Sequence, residues 1–550
     1  MPINPYSQLI AALEEAVDVK TLFPEEDGKP IFGAAIKPLF GITRENRSLN
    51  FGSCGNPPLP IIAARLQHTL RIDRDTDVYM RRHVFDELDE VRNEMAQWVK
   101  LPESQGELFL VENAGWSINA AINSLALNPI FHKHQRNVRK STTFKVMKMV
   151  NAYPTVHAAL AAGSARFAAL RSMCNPALNP ADLPPTIDIA ICHLTQAMFA
   201  DESRMIEEIV RCALTGVSTI DFLAGKWKEI EPSSSAACDV VIIDHLMCGP
   251  ACVVPVAEIC KRIRQVSPNT VIVLDGAHAL GMIPLAFEEP QWQFEGSLCF
   301  DVYFSNCHKW LLAPKSTAMF ILSTRVIRFF HPNTVANFYR GEEGSEGFDP
   351  NALTPAQRKR MRLEEFVWQG TRDFTNELAI KDLLAFRRFL GEERIQTYNR
   401  SLCYEGAELV AKLWGSRILL PGKERNGAII SVVAPDVCHK NPKRFIDVTF
   451  AILDRHHTYA PPWVGLVDKD NDTVEGVIMS SAETHEFDPL MVNDRKMKAQ
   501  IAAAAETPSV SPLCTIRFSC QLYNTIEDFE YYANTFLAVW KELSEAAGES

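Results

Sequence analysis

Two short apolar runs end in residues that could do chemistry together. One is Val271-Ile272-Val273-Leu274, followed by Asp275-Gly276-Ala277-His278. The other begins at Asp301, passes through Val302-Tyr303-Phe304-Ser305 and ends in Asn306-Cys307-His308-Lys309-Trp310. Each reads as a buried strand with polar residues at its carboxyl end, and ligands in open α/β sheets sit beyond those ends. An aspartate and a lysine placed there face one crevice. A lysine whose pKa is lowered by burial and neighbouring positive charge can attack a carbonyl. A carboxylate can hold a pyridine nitrogen protonated, which makes the ring an electron sink. The chemistry of pyridoxal 5'-phosphate (PLP) requires both groups. Alone, Lys309 reads as a surface lysine after a strand, and Asp275 as a turn or cap residue. Together, with His278 and His308 at fixed offsets, those bland readings become poor.

Such strand ends need a sheet to hold them. Apolar runs at Leu108–Val111, Phe144–Val150, Ile187–Cys192, Val240–Ile243, Val271–Leu274, Val302–Ser305 and Ala318–Leu322 predict strands. Most are apolar at successive positions, the mark of strands covered on both faces. Helical patterns lie between several of them, including Pro255 to Val266, which Pro268-Asn269 would stop. The expected fold is α/β, with a large doubly wound sheet domain over 50–330 and a smaller α+β C-terminal domain over 376–550. Residues 1–49 are expected as an N-terminal arm packing with the smaller domain. Residues 331–375 read as a linker, irregular and charged from about 325 to 365. A helix is predicted around 376–389, and 465–510 reads as an insertion.

Composition excludes several classes. The 550 residues are 47% apolar and 22% charged, ordinary for a globular chain. A net charge of -11 and the lack of a basic run argue against nucleic acid or an anionic membrane as partner. No apolar stretch is long enough to cross a bilayer. The first residues show no secretory signal and the last match no retrieval signal, so a cytoplasmic location is expected. The 14 cysteines are scattered with no Cys-x-x-Cys. They read as buried small apolar residues, with neither a disulfide framework nor a metal site expected.

Asp275-Gly-Ala-His278 followed by Ser305-Asn-x-His308-Lys309-Trp-Leu-x-Ala-Pro-Lys315 resembles the class V aminotransferase family of fold-type I PLP enzymes. The branch it is most similar to contains isopenicillin N epimerase-like and cysteine desulfhydrase-like proteins. The resemblance implies that Lys309 is the Schiff-base lysine and Asp275 the partner of the pyridine nitrogen. It places His278 near the ring hydroxyl and His308 near the phosphate. Leu49 to Gly55 is similar to a loop that lines the family's active site, which implies that Asn50, Gly52 and Ser53 lie near substrate. Glu112-Asn113-Ala114-Gly115-Trp116-Ser117 follows a strand and opens a helix, a natural phosphate cradle. The family usually carries threonine where Gly115 stands. Gly115 and Trp116 could then offer only backbone N–H groups, with Ser117 as a compensating hydroxyl. Tyr153 stands where the family often places an aromatic residue against the ring.

Phe366 to Asp373 is similar to a family stretch whose Gly-Thr, here Gly370-Thr371, reaches the phosphate of the neighbouring subunit. That implies a homodimer with shared active sites. Arg517, in Thr515-Ile-Arg-Phe-Ser519, matches the arginine that binds the substrate α-carboxylate, a task suited to a planar bidentate group. Pro314-Lys315-Ser316 departs from the family's Pro-Lys-Gly, which implies a different backbone after the lysine. The resemblance spans about 49–535.

The family's cysteine desulfurases use a mobile cysteine on a loop before the carboxylate-binding arginine. Here no cysteine lies between Cys438 and Cys514, and Cys514 falls in an apparent strand. The expected reaction is therefore β-elimination at a C–S bond of cysteine, a cysteine conjugate or a cysteine sulfoxide such as a thiohistidine precursor. Epimerisation and transamination stay open, because the side-chain pocket decides among them. A non-catalytic PLP-binding relative is the alternative of a different class.

Overall fold

The computed structural model describes residues 25–26, 28–43, 45–125, 143–173, 186–194, 196–218, 237–339, 352–468, 473–475 and 510–548, with single positions at 128, 131 and 135. Its largest element is a sheet of seven strands. They are β1 (Gly106–Val111), β2 (Thr143–Met149), β3 (Thr186–Cys192), β4 (Val240–Asp244), β5 (Val271–Asp275), β6 (Val302–Asn306) and β7 (Ala318–Ser323). Each of the seven apolar runs read from the sequence forms one of these strands. Their spatial order is β1-β7-β6-β5-β4-β2-β3. Neighbours are parallel except at β7, which runs antiparallel to both β1 and β6. Every residue of β4, β5, β6 and β7 is buried, which accounts for their unbroken apolar runs.

The chain enters this sheet at one edge, crosses to the other for β2 and β3, and returns through β4, β5 and β6. The parallel strands therefore deliver the segments after β2, β4, β5 and β6 to one side of the molecule. The helices that set the site are α1 (Ala114–Leu125), directly after β1, and α2 (Pro154–Met173), after β2. The predicted helix between β4 and β5 is α3 (Val256–Val266). Its buried Arg264 donates to the carbonyls of Cys299, Pro268 and Thr270 and pairs with Asp301, which also accepts from the N–H of Ile272. That buried pair ties the start of β5 to the start of β6.

The charged stretch read as irregular holds a helix, α4 (Pro355–Val367). Thr354 and Gln357 form a capping box there and proline occupies its first position, local signals that the charged composition masked. The helix expected near 376–389 is α5 (Thr375–Leu390), and α6 (Glu392–Trp414) follows it. A second sheet, antiparallel and four-stranded, has the order β8-β11-β9-β10. Its strands are β8 (Ile429–Val433), β9 (Pro462–Asp468), β10 (Thr473–Glu475) and β11 (Val510–Ser519). It shares a core with α6 and with α7 (Ile526–Ala546) through Cys403, Val410, Ile430, Phe518 and Phe529. Part of the expected insertion thus forms β9 and β10; 469–472 and 476–509 lie outside the described residues, as does the N-terminal arm up to 24. Leu49 binds the second sheet and its surroundings: its N–H donates to Tyr459 O at 2.8 Å, and Ser519 N–H donates to Leu49 O at 2.7 Å.

Candidate active site

A cavity of about 330 Å³ opens beyond the carboxyl ends of β2, β4, β5 and β6 and against the start of α1. Its floor is acidic. Asp275, the last residue of β5, is buried, and its Oδ1 accepts from the N–H of Ala277 at 3.0 Å. Burial pushes its carboxyl up to about 6, against the pull of that N–H and of Lys309. Gly276 lets the chain pass close to β6, since a Cβ at that position would stand 2.4 Å from Tyr303 Oη.

Asp244, at the end of β4, pairs in register with Asp275. Its Oδ2 is buried and has no hydrogen-bond partner among the described residues. Burial first, and then the charge of Asp275, raises its carboxyl well above the usual range.

Lys309 follows β6, and its Nζ lies 3.1 Å from His278 Nε2. Burial lowers its pKa and Arg517 adds to that, while Cys248, Asp275 and Cys54 pull the other way. Trp310 Nε1–H donates to His278 Nδ1 at 3.3 Å, and burial holds His278 well below its usual range. His308 Nδ1 lies 3.0 Å from Thr317 O. A carbonyl only accepts, so Nδ1 carries the proton. Burial and Lys309 lower this imidazole to about 4.

The turn that carries Lys309 is held from two sides. Buried Arg387, on α5, donates to Trp310 O at 2.8 Å and Leu311 O at 3.3 Å, and to Gly281 O at 3.1 Å. From the other side Gly55, at φ 64°, comes so close that a Cβ would fall 1.7 Å from His308 O. Farther along, Ser316 adopts φ 64°, so the left-handed conformation that glycine favours is kept without glycine.

Arg517, buried on β11, meets the loop at the other end of the sequence. Its Nη2 donates to Asn50 Oδ1 at 2.9 Å and to Ser53 Oγ at 2.8 Å, across 467 and 464 positions. Its Nε is buried with no partner among the described residues. Gly52 N–H donates to Ser519 Oγ at 3.0 Å, fixing the loop to β11. Ser53 lines the cavity directly.

The start of α1 divides the residues expected there. Ala114 N–H donates to Asn306 Oδ1 at 2.9 Å and Trp116 N–H to Asn113 Oδ1 at 2.8 Å. Gly115 lines the cavity. Trp116 does not: its backbone is committed to Asn113 and its indole N–H donates to Gln369 Oε1 at 3.3 Å. Ser117 is buried, and its hydroxyl donates to Asn113 O. Tyr153 lines the cavity and is 40% exposed. Gly370 and the exposed Thr371 follow Gln369 and are not part of this chain's cavity wall.

Sequence reading missed Asp244, Asn113, Asn306, Cys54 and Cys248. Asp244 ended an apolar run and was the one of these with a signal, since it sits at a strand end just as Asp275 does. Cys248 lines the cavity, and burial keeps its thiol protonated although Arg517 and Lys309 favour the thiolate. Cys54 is exposed, within electrostatic reach of Lys309. Cys514 is buried in β11, as the sequence implied. Among the described residues there is no cluster able to hold a metal ion, and no helix is long and apolar enough to cross a membrane.

No family model matches the chain. It is 26% identical over 243 residues to an L-cysteine desulfhydrase of Arabidopsis thaliana, a match covering 42% of this chain and 47% of that protein. It is 29% identical over 196 residues to an isopenicillin N epimerase of Streptomyces clavuligerus, covering 35% and 45%. It is 28% identical over 186 residues to a hercynylcysteine sulfoxide lyase of Schizosaccharomyces pombe, covering 33% and 41%. Each match thus spans about half, or less, of the relative's length. In structure it is similar to the apo cysteine desulfurase of Thermococcus onnurineus, with a TM-score of 0.57 at 14% identity over 92% of this chain and 98% of that one. A cystine C-S lyase in complex with cysteine persulfide gives 0.57 at 12% identity, over 90% and 98%. The chain has the fold of fold-type I PLP-dependent enzymes, and its sequence relatives include the desulfhydrases and epimerases that its motifs resemble, with a sulfoxide lyase beside them.

Proposed function

We propose that this protein is a PLP-dependent C–S lyase acting by β-elimination on cysteine, a cysteine conjugate or a cysteine sulfoxide. The observation that carries this is the meeting of three groups from distant segments at one cavity. They are the Asp275 carboxylate and the Lys309 amine, which line it, and the Arg517 guanidinium, bonded to Ser53 in its wall and with a buried Nε that has no partner among the described residues. The cavity lies within the range of small-molecule sites, roughly 300–1,000 Å³. The cradle suits PLP: a carboxylate for the ring nitrogen, an amine for the aldehyde, and Gly115 at a helix start beside His308 for the phosphate.

Bound PLP would supply the sink for the electron pair left at Cα. The rest is work for this chain. Asp275 keeps a proton on the ring nitrogen. Arg517, with Nη2 already anchored by Asn50 and Ser53, receives the substrate carboxylate on its remaining N–H groups. Lys309 Nζ takes the α-proton, and the C–S electrons leave with sulfur. Hydrolysis of the remaining fragment gives pyruvate and ammonia. A homodimer in which Gly370-Thr371 completes the partner's phosphate site, and a cytoplasmic location, belong to the same proposal.

Product analysis tests it, with cysteine, cystine, S-alkyl cysteines and histidine-linked cysteine sulfoxides as substrates. Stoichiometric pyruvate and ammonia from any of them supports elimination. Racemised substrate carrying solvent deuterium, with no pyruvate, would establish the epimerase instead. A keto acid with pyridoxamine phosphate would establish a transaminase. A chain that binds PLP and turns over nothing would establish the non-catalytic alternative.

A further inference from the structure

The contact between Lys309 and His278 raises a question of protons. His278 Nε2 and Lys309 Nζ are 3.1 Å apart, and both atoms can donate. The answer lies one residue farther on. Trp310 Nε1–H is a donor with no lone pair to offer, and it points at His278 Nδ1 at 3.3 Å. Nδ1 must therefore be bare. A neutral imidazole then carries its proton on Nε2, which faces Lys309. That N–H needs an acceptor, and Nζ can accept only as an uncharged amine.

We propose that Trp310 is a positioning residue that fixes the tautomer of His278, so that the imidazole donates to Lys309 and holds its amine uncharged. The charges around the pair lean both ways. Arg517 and His308 oppose a further positive charge on Lys309 or His278, while Asp275, Cys248 and Cys54 favour one on Lys309. Hydrogen-bond direction decides between them, because a protonated Lys309 would set two donors against each other. Burial of both groups acts in the same sense.

Trp310 is built to hold this aim. It is fully buried, its ring lies 5.6 Å from that of Phe51, and a Cβ on Gly52 would come within 3.2 Å of it. Its carbonyl is held by Arg387. The indole is thus clamped between the loop that anchors Arg517 and the turn that carries Lys309. The inference does not depend on which bond the enzyme breaks; it requires only that Lys309 be the reactive amine.

The test is competitive labelling of the full-length, cofactor-stripped chain with limiting acetic anhydride across a pH series. Peptide mass spectrometry then reads the fraction of uncharged Lys309. Trp310→Phe keeps the ring and removes the N–H. It should reduce Lys309 labelling near neutral pH by about tenfold, the scale of one hydrogen bond. In a His278→Leu background no side chain relays the indole to Lys309, so Trp310→Phe should there have no effect. An equal fall in both backgrounds, or none in either, overturns the proposal. If Trp310→Phe fails to fold, 15N spectra of the wild-type histidines decide: a proton on His278 Nδ1 overturns it, and one on Nε2 supports it. Failure of the functional reading is distinguishable, since Lys309 would then show a free amine by labelling yet capture no PLP on borohydride trapping.

Discussion

Asp244 and Asp275 end adjacent parallel strands in register, so that two carboxylates share one buried floor of the cavity. Burial displaces both carboxyls upward, and the charge of Asp275 adds to the rise at Asp244, since like charges placed this way cannot both ionise at low cost. Without a cofactor, this pair is a source of instability at neutral pH. A cationic ring nitrogen held there would relieve it.

The sign follows from linkage. Asp275 titrates at about 6 when folded and near 3.8 when unfolded. Between those values the folded chain binds more protons, so stability falls as pH rises through the window and levels off above it. For the cofactor-free chain, Asp275→Asn should leave stability unchanged near pH 3, below the unfolded value. At pH 7 it should gain up to about 3 kcal/mol. Urea unfolding at the two pH values checks this; an equal effect at both would refute the account.

Lys309→Ala should lose turnover by several orders of magnitude, because amine capture and proton transfer share that group. Borohydride reduction of the PLP-loaded enzyme followed by peptide mapping should label Lys309. A label on Lys315 instead would sink the assignment.

Arg517→Lys should act mainly on KM. Nη2 is spent on Asn50 and Ser53, and a single ammonium cannot both hold that loop and meet a carboxylate with two N–H groups. The expected loss in binding is about 1.5 to 3 kcal/mol. Steady-state kinetics with the substrate found by product analysis separates this from a fall in kcat alone, which would argue against carboxylate binding.

Cys54→Ala and Cys248→Ala should both retain sulfur release. Cys248 is held protonated by burial and is a poor acceptor of sulfur. Sulfide, thiol or sulfenate-type product should be freed directly. Loss of release in either variant, with a persulfide trapped by alkylation on the wild-type thiol, would place the chemistry with the desulfurases.

The shared-site homodimer predicts complementation. If Thr371→Ala is inactive, mixing its chains with inactive Lys309→Ala chains should restore part of the activity, because one site in the mixed dimer would be intact. A fully active monomer in sedimentation would refute the arrangement.

By itself the sequence determined the large sheet. Strands β4 to β7 are buried on both faces, so each was written as a largely apolar run that needs no knowledge of its neighbours, while lysines and an aspartate interrupt the runs of β2 and β3 toward the other edge. Asp275, His278, His308 and Lys309 were legible for a related reason: each lies within four residues of a strand end, and the ends of parallel strands share one side. Helix α4 was equally local in origin, yet its capping box went unread beneath the charge.

Tertiary structure alone decided the rest. Nothing near Arg517 in the chain says that Asn50 and Ser53 will orient it, because those bonds close over more than 460 residues. Asp244 becomes significant only when strand order sets β4 beside β5. Trp116, one position from Gly115 in sequence, turns away from the cavity because one helical step rotates its indole toward Gln369. The tautomer of His278 depends on which donor faces each ring nitrogen. Patterns with a short period survive in one dimension, whereas hydrogen-bond direction and the meeting of distant segments exist only once the chain has folded.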